Sequence, residues 1–443
     1  MTSGGPVRGF VIAAPSSGSG KTVATLALLA LLRSQGLRVS SGKIGPDYID
    51  PAFHQAATGR TCFNLDSWAM RPATLQALLA EAGRAADLVV VEGVMGLFDG
   101  VPFAAGGADG STAELARLLD LPVILVLNAK GQGATAAAVL KGLAGFDPRL
   151  RIAGVILNNV GSVAHRAILA AAVAPLGIPV LAAIPRSKEL VVPERHLGLQ
   201  QAGEMPDLAA FLRKAAEALR PSLDVERLLA MAGVIRPVAA PLLPTVPPLG
   251  QRIAVAQDTA FAFAYSFQLE AWRRTGAEVL PFSPLADAGP AAEADAVFLP
   301  GGYPELHAGR LAGNANFLNS LSAAAARGAA LYGECGGYMV LGEGLIDEQG
   351  LRHRMAGLLP VVTSFAKRKL HLGYRVATAV AAGPLGPAGA RFKAHEFHYS
   401  TLVKEGAGDP LFTAGDAGGR DLGSFGRRRG SVFGSYLHLV DSA

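Results

Sequence analysis

A short apolar run that ends in a glycine-rich turn constrains the fold of this chain more than any other feature. The run FVIAA (10–14) leads into PSSGSGKT (15–22), and a helical pattern rich in Ala and Leu follows. Glycines let backbone N–H groups surround a phosphate, lysine reaches its outer oxygens and a hydroxyl binds Mg²⁺. The segment departs from the full pattern at Pro15, where glycine is usual. We therefore predict a phosphate-binding loop whose nucleotide-binding residues are Gly18, Gly20, Lys21 and Thr22, with Thr22 also a metal ligand.

Further apolar runs alternate with helical patterns such as 22–34 and 132–144. The runs that are typical of buried strands are FVIAA (10–14), DLVVVEG (87–93), PVILVLNA (122–129) and AGVILNNV (153–160). Uninterrupted apolar strands that alternate with helices are typical of a parallel sheet covered on both faces. The first part of the chain is therefore predicted to be a doubly wound α/β domain.

The α/β pattern stops at PVAAPLLPTVPPLG (237–250) and then resumes. Proline fixes φ and lacks a backbone donor, so this segment is predicted to be an extended linker. Strand-like runs return at 252–258, 295–302 and 329–337. We therefore predict two α/β domains, residues 1–236 and 251–443, with 237–250 between them.

Composition excludes several classes of protein. The 443 residues are 50% hydrophobic, and the net charge is only +5, which favours an anionic small molecule over nucleic acid as the partner. The two cysteines, Cys62 and Cys335, form no disulfide framework, which is typical of a reducing cytoplasm. No signal peptide and no membrane-spanning run of about 18 apolar residues is visible, so we expect a cytoplasmic protein without a membrane partner. The basic run Arg427–Arg429 is predicted to be a solvated loop.

Acidic residues at strand ends and in one polar segment are candidates for a metal site. Glu92 ends the run VVVEG, and open α/β sheets place ligands at the ends of their strands. Asp99 follows in GLFDG, although Asp-Gly is also common in turns. Asp47 and Asp50, in KIGPDYIDPAFH (43–54), can converge on one metal–phosphate centre. Ser16 stands where partition-type ATPases carry a second lysine, so the loop instead resembles that of dethiobiotin synthetase, which activates a carboxylate with ATP.

The segment AALYGECGGYMVLGE (329–343) predicts a strand, a sharp turn and a helix, which is the geometry of a nucleophile elbow at Cys335. A helix N-terminus and a nearby imidazole are expected to lower the pKa of the thiol from about 8.5 towards neutrality. Backbone N–H groups of Gly301 and Gly302 are candidates for an oxyanion site. His438 is the preferred base, and His395 and His398 are its rivals.

Together these motifs resemble the corrin a,c-diamide synthase family over nearly the whole chain. The motifs are GSGKT, KIGPDYIDPAFH, VVVEGVMGLFDG, PERHLGL (193–199), PGGYPE, ECGGYM, HEFHYS and SYLHL. The resemblance implies an N-terminal domain that phosphorylates a substrate carboxylate with ATP and Mg²⁺, and a C-terminal class I glutamine amidotransferase domain. It also implies hydrogenobyrinic or cobyrinic acid and L-glutamine as substrates, and a homodimer.

The resemblance also assigns roles to individual residues. It implies that Cys335 attacks glutamine, that His438 moves the proton, and that catalysis or carboxylate positioning involves Asp47, Tyr48, Asp50 and Asp99. It makes Asn128 and Asn158 candidate adenine contacts, although both could equally form turns. One departure is Val440, which stands where many triad amidotransferases carry the glutamate that orients the histidine.

Some alternatives stay open. The substrate corrin can contain cobalt or be metal-free, and another tetrapyrrole acid such as a nickel sirohydrochlorin is a further candidate. A non-catalytic ATP switch related to partition proteins is the alternative from a different functional class.

Overall fold

The computed structural model describes residues 6–102, 107–192, 194–195, 198–236 and 243–443. The described residues form two compact units. The first unit contains the residues up to 236 except 69–74, and the second contains 69–74 together with 243–443. Part of the segment predicted to be a linker, 237–242, lies outside the described residues, as do 193, 196 and 197 of the motif PERHLGL. The predicted domain boundaries stay a prediction.

The first unit is built on one large sheet. Seven strands lie in the order β3-β2-β4-β1-β5-β6-β7, with parallel pairs throughout, and β10 pairs antiparallel with the start of β1. The strands between residues 8 and 234 are β1 (Arg8–Ala13), β2 (Val39–Ile44), β3 (Phe63–Leu65), β4 (Leu88–Glu92), β5 (Val123–Asn128), β6 (Ile152–Val160), β7 (Val180–Pro185), β8 (Glu194–Arg195), β9 (Gly198–Leu199) and β10 (Gly233–Val234). Of these, β8 and β9 pair only with each other. The four runs predicted to be strands correspond to β1, β4, β5 and β6.

The helices of this part of the chain pack on the sheet through apolar faces. They are α1 (Lys21–Ser34), α2 (Asp50–Thr58), α3 (Pro72–Gly83), α4 (Thr112–Leu118), α5 (Thr135–Phe146), α6 (Val163–Val173), α7 (Leu208–Leu219) and α8 (Val225–Met231). In α7, the side chain of Asp207 accepts a hydrogen bond from Ala210 N at the start of the helix. Its buried residues recur one turn apart and form one apolar stripe: Phe211, Leu212, Ala215, Ala216 and Leu219.

The second unit has its own parallel sheet. Its order is β12-β11-β13-β14-β24-β23, parallel except for the edge strand β23. The strands are β11 (Arg252–Ala256), β12 (Glu278–Phe282), β13 (Ala296–Leu299), β14 (Ala330–Glu334), β15 (Gly344–Ile346), β16 (Arg352–Arg354), β17 (Val361–Ser364), β18 (His371–Ala379), β19 (Arg391–His398), β20 (Thr401–Glu405), β21 (Phe412–Asp416), β22 (Asp421–Phe425), β23 (Arg427–Arg429), β24 (Val432–Ser435) and β25 (Leu437–Ser442). The helices are α9 (Ser266–Arg274), α10 (Ala308–Gly313), α11 (Ala315–Ala326) and α12 (Gly336–Leu341).

Two further sheets in this unit were not expected from the sequence. One has the order β16-β15-β17-β20, and the other is β22-β21-β18-β19-β25 with antiparallel pairs throughout. The strand-like run VFGSYLHL is therefore two strands in two different sheets, because the chain changes sheet at Tyr436. The basic run Arg427–Arg429 is also not the predicted loop. It forms β23, and Arg427 pairs with Glu405 at 2.8 Å.

The longest helix in the described ranges, α1, has 14 residues. Within those ranges, no helix combines the length and the apolar character needed to cross a membrane.

We expect Leu28→Ala to lower the free energy of unfolding of the first unit by about 2–5 kcal/mol, because it leaves a cavity in a closely packed core. Leu28 is fully buried in α1 and belongs to the same core cluster as Phe10 and Leu212. Urea-induced unfolding followed by circular dichroism measures the change. Ile168→Ala removes a similar side chain that is 56% exposed, and should alter stability by no more than about 0.5 kcal/mol. Equal effects of the two substitutions would contradict the assigned core.

Candidate functional sites

The glycine-rich loop joins the fully buried strand end of β1 to α1 through left-handed backbone. Gly18 and Gly20 have φ values of 75° and 91°, which side chains other than hydrogen rarely tolerate. A Cβ at Gly20 would also collide with the side-chain nitrogen of Asn158, which donates a hydrogen bond to Ser19 O at 3.0 Å. Asn158 therefore holds the loop against the end of β6. Its predicted contact with adenine stays a prediction.

Lys21 is the first residue of α1 and is 8% exposed. Its ammonium group donates to Met95 O and lies 3.5 Å from Ser16 O, so backbone carbonyls hold it beside the loop. Burial, followed by the charge of Lys43, lowers the pKa of Lys21 to about 8. Asp99 supports this arrangement by accepting a hydrogen bond from Gly96 N at 2.8 Å, in the turn that carries Met95.

Buried charged groups converge beside Thr22, at the carboxyl ends of β2 and β4. The Thr22 hydroxyl lies 2.8 Å from Glu92 Oε1 and 3.4 Å from Asp50 Oδ2. The ammonium group of Lys43 lies 2.5 Å from Asp50 Oδ2 and 3.0 Å from Glu92 Oε1. These four side chains come from α1, α2, β2 and β4, and the structure therefore brings together the predicted Thr22, Asp50 and Glu92.

His54 completes this cluster from α2. Its Nε2 lies 2.7 Å from Glu92 Oε2, and its Nδ1 lies 3.4 Å from Cys62 Sγ. Burial disfavours a charged imidazole, but contacts with Cys62 and Glu92 outweigh it and raise the pKa of His54 to about 10. Burial likewise opposes ionisation of Glu92, but Lys43 and His54 outweigh it and hold the pKa of that carboxyl well below its usual value. Glu92 is therefore ionised although it is fully buried.

The sequence analysis missed Lys43 and His54 as members of this site. Both lie in the polar segment 43–54 that it singled out, and His54 follows Asp50 by four residues, which places both on one helix face. Lys43 is 3% exposed in a strand buried along its whole length. A lysine there needs a compensating acid, and this requirement was the available signal.

Three other predicted residues have local roles in the described geometry. Asp47 Oδ1 accepts hydrogen bonds from Ile49 N at 2.7 Å and Asp50 N at 3.1 Å, and so fixes the start of α2. Asn128 Oδ1 accepts from Lys130 N and from the side chain of Asn159, both at 3.1 Å. Tyr48 is half-buried in the turn before α2. The roles of Asp47 as a metal ligand, of Asn128 as an adenine contact and of Tyr48 in substrate positioning stay predictions.

In the second unit, Cys335 occupies a strained turn between β14 and α12. Its φ of 46° and ψ of −103° lie in a region that residues with a side chain rarely adopt. The start of α12 packs closely against β13, because a Cβ at Gly337 would overlap the carbonyl group of Leu299. The turn from a parallel strand into a helix, predicted as a nucleophile elbow, is present.

Gly301 lies where Cys335 and His438 meet. A Cβ at Gly301 would collide with Cε1 of His438 and would lie 3.3 Å from both His438 Nε2 and Cys335 Cβ. The backbone N–H of Gly336 points at the Cys335 sulfur, and a Cβ at Gly336 would lie 3.2 Å from Gly302 N. Gly302 N therefore lies close to Gly336, the residue whose N–H is hydrogen-bonded to the thiol. The structure thus brings together Cys335, His438, Gly301 and Gly302.

The expected lowering of the thiol pKa is wrong for this arrangement. Burial, followed by the negative charge of Glu305, raises the pKa of Cys335 far above its usual value, although the Gly336 N–H partly opposes this. Burial and the nearby His395 and His398 hold the pKa of His438 well below its usual value. The resting pair is therefore a neutral thiol and a neutral imidazole. The proton has to leave the sulfur during the reaction itself.

The rival histidines lie on β19. The rings of His395 and His438 are stacked with centroids 4.7 Å apart, and burial lowers the pKa of His395 to about 3. His398 Nε2 lies 3.0 Å from Glu396 Oε1, and potential ligand atoms of His371, Glu396 and His398 lie within 4.8 Å of one another. Arg375 also pairs with Glu396 at 2.7 Å. Arg375, Glu396 and His398 therefore form a network of ion pairs and hydrogen bonds on β18 and β19.

Comparison with known proteins assigns a class to each part of the chain. Residues 10–199 match the CobQ/CobB/MinD/ParA nucleotide binding domain, and residues 252–442 match the CobB/CobQ-like glutamine amidotransferase domain. These matches and the two parallel sheets confirm the predicted fold class.

Curated relatives match along nearly the whole chain. Three of them, from Brucella anthropi, Brucella suis and Mesorhizobium japonicum, are each named hydrogenobyrinate a,c-diamide synthase. They are 53%, 53% and 50% identical to this chain, and each alignment covers 98% of this chain and 99% of the relative.

We expect Lys43→Met to destabilise the first unit by about 3–5 kcal/mol, because it leaves the buried carboxylates of Asp50 and Glu92 without their shared cation. Urea-induced unfolding at pH 7 measures the loss. Arg38→Met breaks a solvent-exposed pair with Asp87 and should barely move the unfolding midpoint. A Lys43→Met protein as stable as the parent would show that the cluster does not depend on this charge.

Proposed function

The chain belongs to the hydrogenobyrinate a,c-diamide synthase family, and on that premise we propose that it converts the a and c carboxylates of a corrin acid into amides, using ATP and glutamine. The observation that carries the proposal is the meeting of Cys335 and His438 at Gly301, in a chain whose other unit holds a phosphate loop at Lys21. Each amide then requires one ATP and one glutamine, and gives ADP, phosphate and glutamate.

The second unit releases ammonia from glutamine in this proposal. Cys335 Sγ attacks the side-chain amide carbon while His438 Nε2 accepts the thiol proton. The backbone N–H groups of Gly302 and Gly336 stabilise the oxygen that becomes negative. His438 then gives the proton to the departing nitrogen as ammonia leaves, and a glutamyl thioester remains on Cys335. Water hydrolyses the thioester to glutamate and restores the thiol.

The first unit activates the carboxylate. Backbone N–H groups of the loop and the Lys21 ammonium hold the phosphates of ATP, and a corrin carboxylate oxygen attacks the γ-phosphorus to give an acyl phosphate and ADP. Ammonia then attacks the acyl carbon, phosphate leaves and the amide forms. We propose that four side chains position the carboxylate or the metal: Asp47, Tyr48, Asp50 and Asp99.

The residues beside Thr22 fit a Mg²⁺ ion. Oxygen donors of Thr22, Glu92 and Asp50 lie together, and Mg²⁺ prefers such donors. Asp50 Oδ1 is buried and has no hydrogen-bond partner in the described part of the chain, so it can serve as a ligand. Thr22 and Glu92 would hold the ion with Asp50. The chemistry that Mg²⁺ supplies is neutralisation of charge on the transferring phosphoryl group.

The metal-free corrin, hydrogenobyrinic acid, is the proposed substrate because the curated relatives carry that name. Comparing kcat/KM for hydrogenobyrinic acid, cobyrinic acid and a nickel sirohydrochlorin tests this choice. A higher value for either metal complex would overturn it.

A homodimer is also proposed, and light scattering of the purified protein tests it.

Replacing the nucleophile should separate the two reactions. We expect Cys335→Ala to abolish glutamine-dependent amide formation, while ammonium chloride at high pH supports synthesis at close to the parent rate. Mass spectrometry of the corrin product, with glutamate and ADP measured alongside, gives the result. An inactive variant that binds ATP normally but cannot use ammonia would contradict the two-site mechanism.

Replacing the loop lysine should impair carboxylate activation and leave the cysteine site intact, the reverse of the effect expected for Cys335→Ala. We expect Lys21→Met to reduce ADP formation and both ammonia- and glutamine-dependent synthesis by at least about 100-fold, because the phosphates lose their cationic partner. Alkylation of Cys335 by a glutamine-like electrophile should be unchanged. Lys141→Met, at an exposed position on α5, is the matched control and should leave ADP formation unaltered. Parent-like ADP formation by Lys21→Met would refute the assigned role.

A further inference from the structure

The histidine of the amidotransferase unit lacks the acid that usually orients it, and its own strand does not replace it. His438 and Val440 lie two residues apart on β25, so their side chains leave the same face of the strand. Val440 is apolar and only 1% exposed. A base that takes a proton at one ring nitrogen works best when an acid holds a proton at the other nitrogen. An acid for this purpose has to come from a different element.

Glu334, the last residue of β14, is placed to be that acid. Its Oε1 accepts a hydrogen bond from Tyr332 Oη at 2.9 Å and from the backbone N–H of Leu439 at 3.2 Å. Leu439 is the residue directly after His438, so the Glu334 carboxyl group is hydrogen-bonded to the strand that carries the histidine. The other oxygen, Oε2, lies 3.8 Å from His438 Nδ1. Both side chains are almost completely buried, with 2% and 1% exposure.

The two nitrogens of His438 therefore face different groups. Nε2 lies on the side of Gly301, where Cys335 also lies, and Nδ1 lies on the side of Glu334. A separation of 3.8 Å is too long for a hydrogen bond but short enough for a charge interaction in a buried site. Glu334 can thus favour the tautomer with a proton on Nδ1, in which Nε2 carries no proton and can accept the one from the thiol.

We infer that Glu334 is the positioning residue for His438 and takes the place of the acid that Val440 lacks. The inference rests on the proposed function, because it concerns the release of ammonia from glutamine. Glu334 reaches the reaction only through His438. Its carboxylate stabilises the imidazolium that forms when Nε2 accepts the proton from Cys335, and it loses this role when His438 passes the proton to the leaving ammonia.

The charge of Glu334 gives the inference a pH dependence. Burial raises the pKa of Glu334 to about 8, although the Leu439 N–H and the Tyr332 hydroxyl partly oppose this. Below that pH the carboxyl proton sits on Oε2, because Oε1 already accepts two hydrogen bonds, and it favours the wrong tautomer of His438. Above that pH the carboxylate faces Nδ1 at 3.8 Å, and its negative charge favours the tautomer with the proton on Nδ1. Glutaminase activity should therefore rise as pH increases from about 7 to 9.

His398, on β19, also acts on His438 through its charge. Three other titratable groups beside the pair, Tyr332, His395 and Cys335, do not account for such a rise. Tyr332, on the same strand as Glu334, has a pKa well above its usual value because it is buried. His395, on β19, stacks on His438 and has its pKa lowered to about 3. Cys335 has its pKa raised far above its usual value.

The test is Glu334→Gln, with glutamine hydrolysis measured alone from pH 6.5 to 9.5. The amide oxygen can keep the hydrogen bonds from Tyr332 and Leu439, but the amide has no charge and presents N–H groups to Nδ1. We expect kcat to fall about 100-fold with KM for glutamine within threefold. This is less than the roughly 10⁴-fold loss when the hydrogen-bonded acid of a serine protease triad becomes an amide. We also expect the rise near pH 8 to disappear.

Further variants separate a positioning role from a structural one. Glu334→Asp keeps a carboxylate and should recover part of the lost kcat together with the pH-dependent rise. Glu348→Gln, at an exposed position of the same unit, should match the parent. If Glu334→Gln does not fold, ¹⁵N spectra of histidine in the parent protein give the answer, with Nδ1 of His438 expected to carry the proton above pH 8.

The outcomes distinguish this inference from the proposed function. A parent protein without glutaminase activity would refute the proposed function. An active parent with a Glu334→Gln variant of equal kcat or unchanged pH profile would refute the inference alone. A proton on Nε2 of His438 above pH 8 would refute it as well.

Discussion

In both units a buried parallel strand turns into a helix within a few residues, and the chemistry depends on how tightly that turn is made. The backbone N–H groups at the start of a helix have no partner inside the helix, so they are available to bind negative charge. At the phosphate loop, left-handed glycines allow the turn, and Asn158 holds it from a neighbouring strand. At the elbow, the residue with positive φ is Cys335 itself, and α12 packs closely against β13 two residues later, at Gly337. We therefore propose that the same local geometry binds a phosphate in one unit and a tetrahedral oxyanion in the other.

The two sites differ in how they manage buried charge. Beside Thr22, the cations of Lys43 and His54 keep Glu92 ionised in the interior, so the acid is ready for a metal. Around Cys335, burial has the opposite result, because it raises the pKa of the thiol and lowers that of the His438 imidazole, so that both groups are neutral. In the proposed function, the preformed anion of Glu92 would attract Mg²⁺. A neutral pair suits a site in which a free thiolate would otherwise react without glutamine.

The sequence predicted well those features that are local in the chain. The phosphate loop, Glu92 after its apolar run and the elbow at Cys335 each depend on neighbours within a few residues, and the structure brings each to the expected strand end. The partners of Glu92 were missed because Lys43 and His54 reach it from a different strand and a helix. The division of the run VFGSYLHL between two sheets was missed because the run shows one uninterrupted strand pattern, whereas the chain changes sheet at Tyr436. The pKa of Cys335 was also predicted in the wrong direction, because helix geometry is visible in the sequence but depth of burial is not.

The change of sheet at Tyr436 also explains why the orienting acid could not be found by inspecting the strand of His438. Glu334 and Ser435 are paired neighbours in the parallel sheet, and His438 begins only after the chain has left that sheet. Alternation along β14 directs Tyr332 and Glu334 to one side, where the hydroxyl of one holds the carboxyl of the other. The crossing of the chain then places the backbone of Leu439 over the same carboxyl group. The nucleophile and the acid are consecutive in sequence, at 335 and 334, but they act on opposite edges of one imidazole ring. A segment of two residues can thus supply both the nucleophile and the orienting acid for a histidine about a hundred residues away in sequence. This requires that the strand of the histidine cross the end of the strand that carries the acid.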